Sequence, residues 1–66
     1  MQFQVDNLSC QHCVRSVTEA IKARDAAATV AVDLASKQVA VKSALPADQV
    51  IAVLVEEGYP ARLLEP

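Results

Sequence analysis

The apolar residues of this chain switch between the two-residue period of a strand and the about 3.6-residue period of a helix. Few folds accommodate the order in which they do so. Residues 2–6, Gln-Phe-Gln-Val-Asp, alternate and put Phe3 and Val5 on one face of a strand. Beyond the loop 7–12, Val14, Val17 and Ile21, with Thr18 beside them, recur at three- and four-residue spacing and predict a helix to about Arg24. Residues 28–34 alternate again through Val30 and Val32, and residues 38–42 through Val39 and Val41. Residues 35–38 supply a turn between them, which predicts a hairpin without the Gly that usually marks one. Pro46 suits the first position of a second helix and Asp48 its first turn. Val50, Ile51 and Leu54 form the apolar stripe, widened by Val53 and Val55, and Gly58 marks the stop. Residues 61–65 form the last short strand.

The order β-α-β-β-α-β predicts an α+β, ferredoxin-like domain: a four-stranded antiparallel sheet with two helices on one face. Its 66 residues leave room for one domain spanning 1–66 and one core. Phe3, Val5, Val17, Ile21, Val30, Val32, Val39, Val41, Ile51 and Leu54 are assigned to that core. Most apolar residues are Ala and Val, with one Phe, one Tyr and no Trp. That suffices for a tight aliphatic interior and not for a deep pocket around an organic substrate.

The formal charge is −2 with acidic and basic residues interspersed, so nucleic acid is not an expected partner. The longest run of apolar residues, Val-Ile-Ala-Val-Leu-Val at 50–55, is far too short to insert into a membrane. Residues 1–6 lack the basic region and apolar stretch of a signal peptide. The expected location is cytoplasmic, where thiols stay reduced.

The two cysteines stand three positions apart at Cys10 and Cys13, with the one histidine, His12, against the second. Spacing alone admits a metal clip and a redox dithiol equally. A structural disulfide is disfavoured by the reducing compartment and by the short loop it would close. The pattern puts Cys10 in the loop after the first strand and Cys13 in the first helical turn, where unsatisfied N–H groups favour thiolate over thiol. Two thiolates suit soft metals. Closed zinc sites and iron–sulfur clusters ask for four ligands, whereas this chain offers two Cys and one His, so Cu(I) is the best match. So few ligands leave a site open to a partner's sulfur, which suits transfer better than storage. No general-base constellation accompanies the thiols, and an enzyme is not expected.

Residues 8–13, Leu-Ser-Cys-Gln-His-Cys, at the end of the first strand of a β-α-β-β-α-β chain, resemble the M-x-C-x-x-C loop of heavy-metal-associated domains. Residues 56–61, Glu-Glu-Gly-Tyr-Pro-Ala, are similar to the E-x-A-G-Y stretch between second helix and last strand in that family. The likeness covers essentially the whole chain and extends to free-standing bacterial copper chaperones. It implies that Cys10 and Cys13 bind Cu(I), and by softness Ag(I). It also implies that they exchange metal, sulfur for sulfur, with a metal-binding domain or platform of a P-type copper-exporting ATPase. It places Tyr59 beside the metal loop, where eukaryotic members tend to have lysine, and Leu8 beneath the loop, where the family has a buried Met. Leu is close in volume to Met, so the support survives the exchange. Asn7 replaces a usual Gly, and Asn is among the side chains that best tolerate left-handed backbone. Glu57 replaces a usual Ala, and residues 24–27, Arg-Asp-Ala-Ala, replace a usual Gly-Val.

His12 reads as a third ligand, as a proton-sensitive neighbour that tunes the cysteines, or as a solvent-facing side chain, and the last is favoured because neighbouring residues rarely project the same way. The expected assembly is a monomer without metal, with a metal-bridged dimer as the loaded alternative. Two other readings stand beside the chaperone: an excised N-terminal domain of the ATPase itself, and a dithiol oxidoreductase. The latter would ask for a cis-proline facing the thiols, and none of Pro46, Pro60 and Pro66 lies in such a context.

Overall fold

A computed structural model describes residues 1–64, so Glu65, the expected end of the last strand, and Pro66 lie outside the described residues. Two segments hold the middle of the sheet, β1 (Gln2–Gln4) and β3 (Gln38–Lys42), with β2 (Thr29–Asp33) and β4 (Arg62–Leu63) at the edges. The strand order is β2-β3-β1-β4, and every pairing is antiparallel. The helices α1 (Gln11–Arg24) and α2 (Ala47–Glu56) complete the ferredoxin-like β-α-β-β-α-β order.

The core lies where the alternating faces of β1 and β3 meet the helical stripes. Phe3, Val5, Val39 and Val41 from the sheet pack with Val17 and Ile21 of α1 and Val50, Val53 and Leu54 of α2, all buried. Leu8 and Ala28 join them from the loops. Val30 and Val32, expected in the core, are only half-buried, because β2 is an edge strand with one neighbour. Ile51 is likewise half-buried and Val55 exposed, while Val50, Val53 and Leu54 share the inner face of α2 at three- and four-residue spacing. Alternation in a strand gives the side that faces inward but not how deeply an edge is covered.

Local chemistry accounts for the element ends. Pro46 caps α2 from outside, with extended backbone (φ −69°, ψ 157°), rather than occupying its first helical position. At the far end Gly58 takes φ +89°. Its N–H donates to Val55 O at 3.0 Å while Tyr59 N–H donates to Leu54 O at 2.8 Å, the paired bonds of a Schellman stop. The β2–β3 turn lacks Gly because Lys37 supplies the left-handed residue, at φ 59°. Asn7 does not: among the described residues Lys37 is the non-glycine residue with positive φ.

Register fixes which loops share an end. Gln4 faces Gln38, and the next residue, Val5, donates its N–H to Lys37 O at 2.9 Å. The segment 5–10 and the hairpin turn therefore lie at one end of the sheet. At the other end Thr29 faces Lys42, and the Asp25 carboxylate accepts bonds from Ser43 Oγ at 2.7 Å and Ala44 N at 3.1 Å. The Ser43 hydroxyl foremost, then Ala44 N–H, hold the Asp25 carboxyl below the usual carboxylate range. Arg24 and Glu56 join the two helices at 3.2 Å, but both are exposed, so this pair adds little stability.

Candidate metal centre

The cysteine loop begins where β1 can no longer run flat. Leu8 drives its side chain fully into the core and donates its N–H to Val5 O at 3.1 Å, turning the chain toward α1. Cys10 then caps α1 in extended conformation (φ −157°, ψ 169°), two residues earlier than the apolar spacing predicts for a loop reaching His12. Its carbonyl accepts from Cys13 N at 3.1 Å and Val14 N at 3.2 Å, while no side chain caps the helix. With no side-chain cap, the helix N-terminus keeps its partial positive charge next to the cysteines, which favours thiolate.

The two sulfurs lie 3.3 Å apart, both as free thiols. Cys10 is exposed, and Cys13 is half-buried with its base against the core. Cys13 is an unusually acidic thiol, with its pKa lowered from 9.0 to about 6. Hydrogen bonding from the Tyr59 hydroxyl is the leading cause, followed by Cys10 and the Ser9 backbone; burial opposes them, and the Ser9 side chain adds the least. The Cys13 sulfur reciprocally raises the Tyr59 pKa, as does burial, while a hydrogen bond with Ser16 lowers it. A thiolate accepting hydrogen bonds at a helix N-terminus is an activated soft donor.

Among the positions singled out in the sequence, the structure therefore gathers Cys10, Cys13 and Tyr59, with Leu8 beneath them. His12 is exposed and lines a shallow groove with Gln11, Val14 and Arg15. Among the described residues no cluster of three His, Cys, Asp or Glu side chains forms. Sequence reasoning gives two neighbours of the site, Ser9 and Ser16, no role, and Asn7, expected as a turn residue, contributes through its side chain. Asn7 Nδ2 donates to Gly58 O at 3.3 Å, a contact across 51 positions that no local pattern signals.

A ferredoxin-like domain presenting a free Cys-x-x-Cys pair at the head of its first helix defines a class of small thiol-loop proteins. The sequence profile of the heavy-metal-associated domain matches residues 2–60, and the chain belongs to that family. Among solved structures, copper chaperone Atx1 from Synechocystis PCC6803, in a Cu1, trimeric form with a His-to-Tyr substitution, is 39% identical. The match covers 94% of this chain and 98% of that one at a TM-score of 0.92. A gold binding protein is 40% identical over 94% of this chain and 95% of its own, with a TM-score of 0.91. The cyanobacterial copper metallochaperone ScAtx1 is 37% identical over 94% and 97%, with a TM-score of 0.77. No curated protein sequence matches closely enough to count as a relative.

Proposed function

We propose that this chain is a cytoplasmic copper chaperone, a single heavy-metal-associated domain. It binds one Cu(I) between Cys10 and Cys13 and exchanges it with a P-type copper-exporting ATPase. The observation that carries this reading is the pair of free sulfurs 3.3 Å apart at an exposed helix N-terminus. Soft thiolates select soft monovalent ions, Cu(I) first and Ag(I) by the same affinity. The copper and gold named for the similar structures are of that kind.

The residues divide the task. Cys13, already ionised near neutral pH, offers a thiolate without waiting for a proton to leave. Cys10, in extended backbone and open to solvent, is the sulfur an incoming partner thiolate reaches first. Exchange then proceeds by association: a partner sulfur adds to the metal before one of this chain's sulfurs leaves. Tyr59 lends a hydrogen bond to Cys13 sulfur, drawing electron density from it and easing its departure. Leu8 keeps the loop seated on the core while the sulfurs change partners.

The test is anaerobic Cu(I) binding in competition with a strong chelator, for the wild type and for Cys10→Ser and Cys13→Ser. Wild type is expected to take one equivalent, and each variant to lose affinity by more than about a hundredfold, the loss of one of two anionic ligands. A variant that holds copper as tightly as the wild type overturns the two-sulfur site. Insulin-reduction turnover at the rate of a redox enzyme would overturn the chaperone reading itself.

A further inference from the structure

The peptide unit that precedes Tyr59 is held at both ends. Its N–H, on Tyr59, donates to Leu54 O at 2.8 Å within the Schellman stop, and its carbonyl, on Gly58, accepts from Asn7 Nδ2 at 3.3 Å. The direction in which the Tyr59 side chain leaves the backbone follows from the orientation of that plane. The ring is also half-buried against the core, so the plane and this packing together set where the hydroxyl comes to rest. A Cβ built at Gly58 would meet no atom within 4 Å, so Gly58 itself is not wedged against a neighbour and the Asn7 bond to its carbonyl is a polar tie, not a steric one. Asn7 itself lies at the surface, where one neutral hydrogen bond adds little to global stability. Its effect is geometric: it ties the segment leading to the cysteines to the segment carrying the tyrosine.

We infer that Asn7 is a positioning residue for the proposed site, holding the 57–61 loop so that the Tyr59 hydroxyl rests against the Cys13 sulfur. The inference deepens the copper reading and rests on it for its consequence, since a loosened Tyr59 alters how firmly Cys13 keeps its metal. Asn7→Asp is the discriminating change. It preserves shape but removes the donor and sets a carboxylate against the Gly58 carbonyl. Asn7→Gly removes the donor without adding charge.

Tyr59 is the one tyrosine and the chain has no tryptophan, so ultraviolet emission reports this residue alone. Acrylamide quenching is compared for wild type, Asn7→Asp and Asn7→Gly, each metal-free, reduced and matched for far-ultraviolet circular dichroism. Cu(I) competition is then run on the same proteins and on Tyr59→Phe and the double variant Asn7→Asp/Tyr59→Phe. Quenching is expected to rise in both Asn7 variants. Cu(I) affinity is expected to change by about two- to tenfold, the range of one hydrogen bond, and this change should vanish in the Tyr59→Phe background. Unaltered quenching in Asn7→Gly, or an equal change with and without the Tyr59 hydroxyl, overturns the inference. Should wild type bind no Cu(I), the copper reading fails by itself, and the quenching comparison alone decides whether Asn7 positions Tyr59.

Discussion

The hydroxyl of Tyr59 lies against the sulfur of Cys13, and each resets the acidity of the other: the thiol ionises more readily, the phenol less so. These residues are 46 positions apart in sequence, and the Schellman stop at Gly58 and the first turn of α1 bring them together.

The first consequence is an alkylation profile. In metal-free, reduced protein the rate of iodoacetamide reaction at Cys13 should rise with a midpoint near pH 6 instead of near 9.0. Tyr59→Phe should move the midpoint upward. Peptide mapping after pulsed labelling across the pH series measures it, and a midpoint at the ordinary thiol value in wild type contradicts the geometry.

The same shift predicts a pH-dependent stability. Cys13 in the folded protein releases its proton at a lower pH than in the unfolded chain. The contribution is complete above about 9.0 and is lost as the pH falls to about 6. Urea midpoints of the metal-free, reduced protein should therefore climb through this interval, and the climb should shrink in Cys13→Ser.

His12 stands exposed on α1 and gathers no third ligand with the sulfurs. Under the proposed function, His12→Ala should lower Cu(I) affinity by less than tenfold, that is by under about 1.4 kcal/mol. A larger loss in the chelator competition would make it a ligand.

Leu8 is fully buried beneath the cysteine loop. Leu8→Ala should cost about 2–5 kcal/mol in urea unfolding through lost burial and the cavity left behind. Leu8→Met, close in volume, should cost less than about 1.5 kcal/mol.

Two turns with positive φ should respond to substitution with opposite signs. Gly58→Ala, at φ +89°, should destabilise by about 1–2 kcal/mol although space for the methyl exists. Lys37→Gly, at φ 59°, should stabilise by about 0.5 kcal/mol, relief of strain outweighing the added freedom of the unfolded chain. Thermal melts of the two variants decide both.

The element order, the inward faces of β1 and β3 and the Cys10–Cys13 pair were legible because each rests on spacing within a few residues. The depth of burial was not. Val30 and Val32 alternate as cleanly as Val39 and Val41, yet they lie on an edge strand that only the assembled sheet reveals. The resemblance pointed Tyr59 toward the cysteines, but its bond to Cys13 and the Asn7 amide on Gly58 depend on tertiary closure. Asn7 was read as a left-handed turn residue and serves instead through its side chain.

The helix carrying Cys13 is fastened unequally. At its C-terminal end Asp25 N–H donates to Ile21 O at 3.0 Å, and the Asp25 carboxylate grips Ser43, Ala44 and, through its other oxygen at 3.1 Å, Ala27. At its N-terminal end Cys10 caps nothing with its side chain and faces water. α1 is thus gripped by side-chain bonds at Asp25 and left without them at the end that bears the dithiol. A substitution at Cys10 therefore meets water, whereas one at Val17 or Ile21 meets the closed aliphatic interior.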